Sequence, residues 1–297
     1  MKIWTGTAFM HTSEAVPVAR MLDEAGFDGI VVSDHMIYPR KLSSPYPSPT
    51  GKPMWTPDTA WPDSWVLIGA MAAVTTKIRF TNAVYIAPAR PLLEVAKQVA
   101  TAAVISGDRV ALTVGAGWMR EEFELMGQDF GNRGKRLDEM IEALPALWRG
   151  GWVSWNGKYY QIPELMIEPH PSAPVPIMCG GESEAALRRA ARLCCGWVGN
   201  AYAWEDASLK VRTLNTMRRE YGRENEPFDI VLAIREPATV ELFKRAEDIG
   251  VTAVMCSPWA MADDVASGAH DTFKLAADRY REPIERFAQD ILAKVHE

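Results

Sequence analysis

Short β-branched apolar runs alternate with helical segments eight times along this chain, and that alternation limits its possible folds more than any other feature. Strand-like runs fall at 2–9, 29–35, 78–86, 110–114, 175–179, 196–199, 229–234 and 253–257. Helical periodicity follows each run, directly or after an insertion. The expected helices include 13–25, with Ser13 as N-cap, 63–74, and one opening at Pro91, a residue suited to the first helical position. Further helices are expected at about 133–148, 183–195, up to Tyr221 and at 238–249, with amphipathic helices at the end. No composition break marks a second domain across the 297 residues. The expected fold is therefore α/β: one (β/α)8 barrel domain over 1–297, with insertions after strand 2 and before strand 5.

The second of these insertions, about 151–174, contains Trp152 to Trp155, Asn156-Gly157 and Lys158 to Ile162, which reads as a hairpin around a two-residue turn. The first is more informative. The buried-strand pattern at Gly29-Ile30-Val31-Val32 ends in Ser33-Asp34-His35, placing an acid and an imidazole where a parallel strand surfaces. A lid of about 36–62 follows, with seven prolines between Pro39 and Pro62 and two tryptophans, Trp55 and Trp61. Long proline-rich loops are functional lids or linkers, and linkers are poor in aromatics. The two tryptophans either shape a pocket or pin the loop to the barrel.

Composition narrows the function. The net charge of -6 with dispersed basic residues disfavours a nucleic-acid partner. No apolar stretch approaches the roughly 18 residues of a membrane span, and Met1-Lys2-Ile3-Trp4 runs straight into strand pattern, so no signal peptide is expected. Cys179, Cys194, Cys195 and Cys256 lack metal spacing and read as reduced thiols of a cytoplasmic protein.

In a barrel the chemistry belongs to the loops after the strands. Here those loops offer Phe9, Met10 and His11; Asp34 and His35; Asn82 and Ala83; Gly115 to Trp118; Gly180 to Ser183; Asn200; Arg235 and Glu236; and Ser257 to Trp259. Paired acids for glycoside hydrolysis are missing, His11 and His35 alone make no metal cage, and no Gly-x-Ser-x-Gly elbow follows a strand. Gly115-Ala116-Gly117 is a weak nucleotide motif, since Arg120 stands where a third glycine would fall; it is either a tight turn or a cofactor contact. Gly180-Gly181-Glu182-Ser183 opens a helix, where unpaired N–H groups favour a phosphate, although Ser183 also suits a plain N-cap.

Four stretches together resemble the bacterial luciferase-like monooxygenases, in the branch of single-component oxidoreductases that use coenzyme F420. They are Val31 to His35, Val84 to Gly107, Val114 to Trp118 with Glu121, Glu122 and Phe123, and Met178 to Trp197. Two departures, Asp108 in Ser106-Gly107-Asp108-Arg109 and Cys194-Cys195 before Gly196-Trp197, lie at strand beginnings, away from the chemistry.

The resemblance implies a bulged third strand with a non-prolyl cis peptide backing the cofactor ring, by position at Asn82–Ala83. It implies that His35 acts beside the reacting carbon, with Asp34 either sharing the chemistry or orienting a neighbour. Cofactor contacts are then expected from Asn82, Ala83, Gly115, Gly117, Trp118, Gly180, Gly181, Glu182 and Ser183, and a substrate pocket from Phe9, Trp55, Trp61 and Trp259, with no metal. The expected reaction is hydride transfer between F420 and a small apolar carbonyl, alcohol or activated alkene. The alternatives are a two-component monooxygenase using FMN and a non-catalytic flavin-binding barrel. A homodimer through the helices at 63–74 and 91–105, with their alanine-rich faces, is also implied.

Overall fold

A computed structural model describes residues 1–48, 50–261 and 275–296. Pro49 of the expected lid, residues 262–274 of the C-terminal region and Glu297 lie outside the described residues. The strands are β1 (Lys2–Gly6), β2 (Gly29–Val32), β3 (Arg79–Asn82), β4 (Leu112–Val114), β5 (Val153–Asn156), β6 (Gln161–Leu165), β7 (Ile177–Gly180), β8 (Gly196–Tyr202), β9 (Asp229–Ile234) and β10 (Ala253–Met255). Eight of them form one parallel sheet in the order β3-β2-β1-β10-β9-β8-β7-β4. Bridges Phe80–Val110 and Tyr85–Val114 join the two ends, giving the nearly closed (β/α)8 barrel.

Strand alternation divides the core in two. Trp4, Val31, Ala111, Met178, Val198, Val231 and Ala253 pack together inside the ring, and Ile3, Ile30, Phe80, Leu112 and Ile177 pack outward against the helices. Gly29 is required at the floor, because a Cβ there would lie 2.4 Å from the Trp4 indole. Higher up, the interior turns polar: the Thr81 and Thr113 hydroxyls meet at 2.8 Å.

The helices between strands are α1 (Thr12–Ala25), α2 (Ser64–Ala72), α3 (Leu92–Ser106), α4 (Arg120–Leu125), α5 (Arg133–Leu147), α6 (Glu184–Leu193), α7 (Trp204–Glu220) and α8 (Val240–Asp248), with α9 (Asp278–Phe287) and α10 (Ala293–His296) at the end. Asp63 caps α2 by accepting from the Trp65 and Val66 N–H groups. Two expected helix starts move: the N-cap of α1 lies two residues earlier, at His11 rather than Ser13, whose hydroxyl donates to Glu14, and Pro91 is the N-cap of α3 rather than its first residue. Asp108, where the resemblance would put glycine, sits at φ 59°, a left-handed conformation that Asp tolerates better than most residues.

The hairpin loop is four residues long rather than two. Asn156 pairs with Gln161, and Gly157 N–H donates to the Tyr160 carbonyl. The buried Glu139 of α5 widens it by accepting from the Tyr159 and Tyr160 N–H groups and the Trp155 indole. Among the described residues no helix is long and apolar enough to cross a membrane.

Candidate active site

At the C-terminal mouth of the barrel, β2 delivers Asp34 and His35 as expected, but their surroundings give them different work. Asp34 is buried, and its two oxygens each accept from Arg90 at 2.8 Å; one also accepts the Ile86 N–H at 2.9 Å. Burial alone would lower the Arg90 pKa, and the Asp34 charge beside it raises it instead. The guanidinium lies 4.2 Å from the Tyr85 ring centre. Asp34 therefore fixes the chain after β3.

His35 is held differently. Its Nδ1 lies 3.3 Å from Oε1 of Glu122, a carboxylate only 2% exposed that also accepts the Met36 N–H at 2.9 Å. A carboxylate at Nδ1 favours the tautomer with its proton there and leaves Nε2 as the exchangeable face. Around the imidazole stand Trp55, Trp61 and Trp118, with ring centres at 4.6, 5.5 and 6.0 Å. Phe9 extends this group edge-on to Trp61, and Tyr46 bridges Trp55 and Trp118. The lid tryptophans thus enclose His35, and Trp118 joins them as a wall.

The lid is pinned from α4. Glu121 accepts from Ser43 N–H and Oγ at 2.7 and 2.6 Å and from Ser44 N–H and Oγ at 3.1 and 2.7 Å. Burial would raise its pKa, but these donors outweigh that and hold it at about 2. Further along the lid, burial first and the Glu182 charge second push the Tyr46 phenol up.

The bulge after β3 carries a non-prolyl cis peptide at Ala83–Val84, one residue later than expected. The reason is the ladder. Ala83 N–H still donates to the Val32 carbonyl at 2.9 Å, so regular pairing runs past Asn82 before Tyr85 N–H picks up Thr113. The Asn82 amide donates to the Ser64 hydroxyl of α2 at 3.1 Å and leaves its buried Oδ1 without a protein partner. Val84 follows in the bulge. A Cβ on Gly115 or Gly180 would come within 2.3 or 2.2 Å of the Val84 γ-carbons, so these two glycines make room for that side chain. Gly117, at φ 79°, is wedged against Ile86 and Phe123, where a Cβ would meet carbons at 2.7 Å.

At the start of α6 the Ser183 hydroxyl accepts the Ala186 N–H at 3.2 Å, so it is the helix cap. Gly181, at φ 106°, accepts the Trp197 indole N–H on its carbonyl. Glu182 accepts from the Tyr202 hydroxyl, and Glu184 in the first turn pairs with Arg188 at 2.9 Å. Trp259, expected in the substrate pocket, is almost fully buried. On the 3-10 turn at Pro258–Met261, it packs in the core against Tyr280 of α9, ring centres 4.9 Å apart.

Glu121, Glu122, Arg90, Tyr46 and Val84 had been given no role. Adjacent acids soon after a glycine turn at a strand end, with Trp118, Met119 and Arg120 between, were the available signal for the first two. Among the described residues no cluster of three or more His, Cys, Asp or Glu side chains could hold a metal.

A cis-bulged third strand, a histidine after the second and a glycine turn with paired acids after the fourth now stand around one barrel mouth. The luciferase-like monooxygenase family matches residues 2–239. This chain belongs to that family. It is 35% identical over 284 residues to an uncharacterized protein of Mycobacterium tuberculosis, covering 94% of this chain and 95% of that one. The F420-dependent tetrahydromethanopterin reductase of Methanopyrus kandleri shares the fold at a TM-score of 0.70 and 14% identity, over 99% of this chain and 98% of the other. The FMN complex of the oxygenating constituent of 3,6-diketocamphane monooxygenase, from the CAM plasmid of Pseudomonas putida, does so at 0.61 and 18%, over 78% of this chain and 66% of the other. Solved barrels of this fold thus include one that is F420-dependent and one in complex with FMN.

Proposed function

We propose that this protein is an F420-dependent oxidoreductase that moves a hydride between the deazaflavin and a small apolar carbonyl, alcohol or activated alkene. The observation that carries the reading is His35, tied through Nδ1 to a buried carboxylate and walled by three indoles at the barrel mouth. Two features fit a planar cofactor with a polar tail. Val84, seated over two glycines, offers an apolar shelf, and the buried indole N–H groups of Trp55 and Trp61 lack protein partners and suit a ligand oxygen. Ala83 and Val84 would back the ring, and the backbone from Gly181 into α6 would take the phosphate, with Arg188 offsetting the charge of Glu184.

When bound, the deazaflavin supplies or accepts the hydride. The residues do the rest. In reduction, an imidazolium at His35 would give the Nε2 proton to the substrate oxygen; in oxidation, neutral Nε2 would take it. Glu122 steadies the ring in either state, and the tryptophans keep water out. An FMN-dependent monooxygenase is the second reading, favoured by the FMN-bound barrel of the same family shape.

The chain is further proposed to act as a cytoplasmic homodimer. Of the alanine faces expected to meet there, Ala70 and Ala73 on and just after α2 are exposed, whereas Ala72, Ala100, Ala102 and Ala103 are buried within the chain. Exposed Val66 on α2 and Leu93, Val104 and Ile105 on α3 are larger apolar groups that the same contact would cover. Titrating the purified protein with F420 and with FMN tests the cofactor. Tighter binding of F420 is expected; tighter FMN binding with oxygen uptake refutes the reading.

A further inference from the structure

Phe9 stands in a backbone conformation that its side chain opposes. Its φ is 66°, in the left-handed region that non-glycine residues seldom occupy. The cause is the turn that follows β1. Met10 N–H donates to the Thr7 carbonyl at 3.2 Å, which closes a four-residue turn with Phe9 in its third position. When that position has positive φ, glycine is the residue that fits without cost. This chain puts a phenyl ring there instead, half-buried and edge-on to Trp61 at 5.5 Å, and Trp61 in turn lies 5.5 Å from His35. Non-glycine residues held at such angles concentrate at functional sites, where the surroundings enforce them.

We infer that Phe9 is a specificity-determining residue: its ring is the β1-side wall of the substrate pocket, kept at a turn position better suited to glycine because it limits the bulk of substrate admitted beside His35. The inference rests on the hydride-transfer reading for the identity of the pocket, but not for its test. A wall and a packing residue respond differently to two substitutions. Phe9→Ala removes the ring and keeps the unfavourable angle; Phe9→Gly removes the ring and relieves the backbone.

The experiment follows tryptophan fluorescence of the protein without cofactor while cyclohexanone, and separately 2-adamantanone, is added, with thermal midpoints recorded for the same samples. Expected is a shift in the ratio of affinities toward 2-adamantanone by about tenfold or more in both variants, the scale on which apolar pockets discriminate size. The glycine variant should melt at or above the alanine variant. A ratio unchanged within about twofold in variants that retain cooperative melting overturns the inference, as does a glycine variant that melts below the alanine one. Because no cofactor is present, a failed F420 titration leaves this result standing, and a failed ketone shift leaves the cofactor reading standing.

Discussion

Replacing Glu121 with Gln isolates the contact that holds the start of the lid. The carboxylate accepts four hydrogen bonds from Ser43 and Ser44, and they lower its pKa from 4.5 to about 2. By linkage that shift sets a ceiling of about 3 kcal/mol on what the charge contributes. Part of the carboxylate faces solvent, and screening reduces the expected loss on Glu121→Gln to about 1–2 kcal/mol. The lid start should then open about 5–30 times more often. Hydrogen–deuterium exchange reads this at the Ser43 and Ser44 amides. Thr76, Lys77 and Ile78 serve as reference, because their amides are held by Asp23 of α1 and not by the lid contact. The sign with pH follows from the lowered pKa. The contribution is complete above pH 4.5 and is lost as pH falls toward about 2, so acid should loosen the lid of the parent protein across that window and leave the variant little to lose. Equal exchange at 43 and 44 in parent and variant, with the reference amides unchanged, would refute the reasoning.

Asp34→Asn leaves the buried Arg90 guanidinium short of its charge partner and should cost about 3–5 kcal/mol in denaturant unfolding, with Asp34→Asn/Arg90→Met recovering part of it. A loss under about 1 kcal/mol would show that the pair does not fix the chain after β3. Gly180→Ala drives a Cβ to 2.2 Å from a Val84 γ-carbon and should destabilise by about 1–3 kcal/mol. Adding Val84→Ala should restore much of that loss, and an additive double variant would mean that Val84 does not occupy the space above Gly180.

The barrel was legible because its signals are local and repeated. Alternating apolar runs gave all eight strands, Ser183 announced its helix through capping chemistry, and β9 fell on its expected residues. His35 was legible for the same reason, as the residue at the end of a buried run. What escaped was long-range or one residue fine. Asp34 meets Arg90 across 56 positions, and Glu122 meets His35 across 87, separations at which periodicity carries no information. The bulge moved by one residue because the Ala83 N–H, and not the residue type, decides where the ladder stops. Trp259 looked like a rim residue by strand count, yet a single 3-10 turn sends it into the core. The hairpin turn widened because a buried Glu139, on a helix well before it, supplies acceptors that a two-residue turn would leave unused.

The account stands or falls on His35, and single-turnover hydride transfer in F420-loaded His35→Ala tests it most directly. With Glu122 on Nδ1 and three indoles around the ring, Nε2 is the group that would exchange a proton with substrate in the proposed reaction. The variant should keep its fold and bind F420 about as well as the parent, while transfer slows by about 10²–10⁴. Transfer at the parent rate in a folded, cofactor-loaded variant would contradict the account and leave His35 a packing residue.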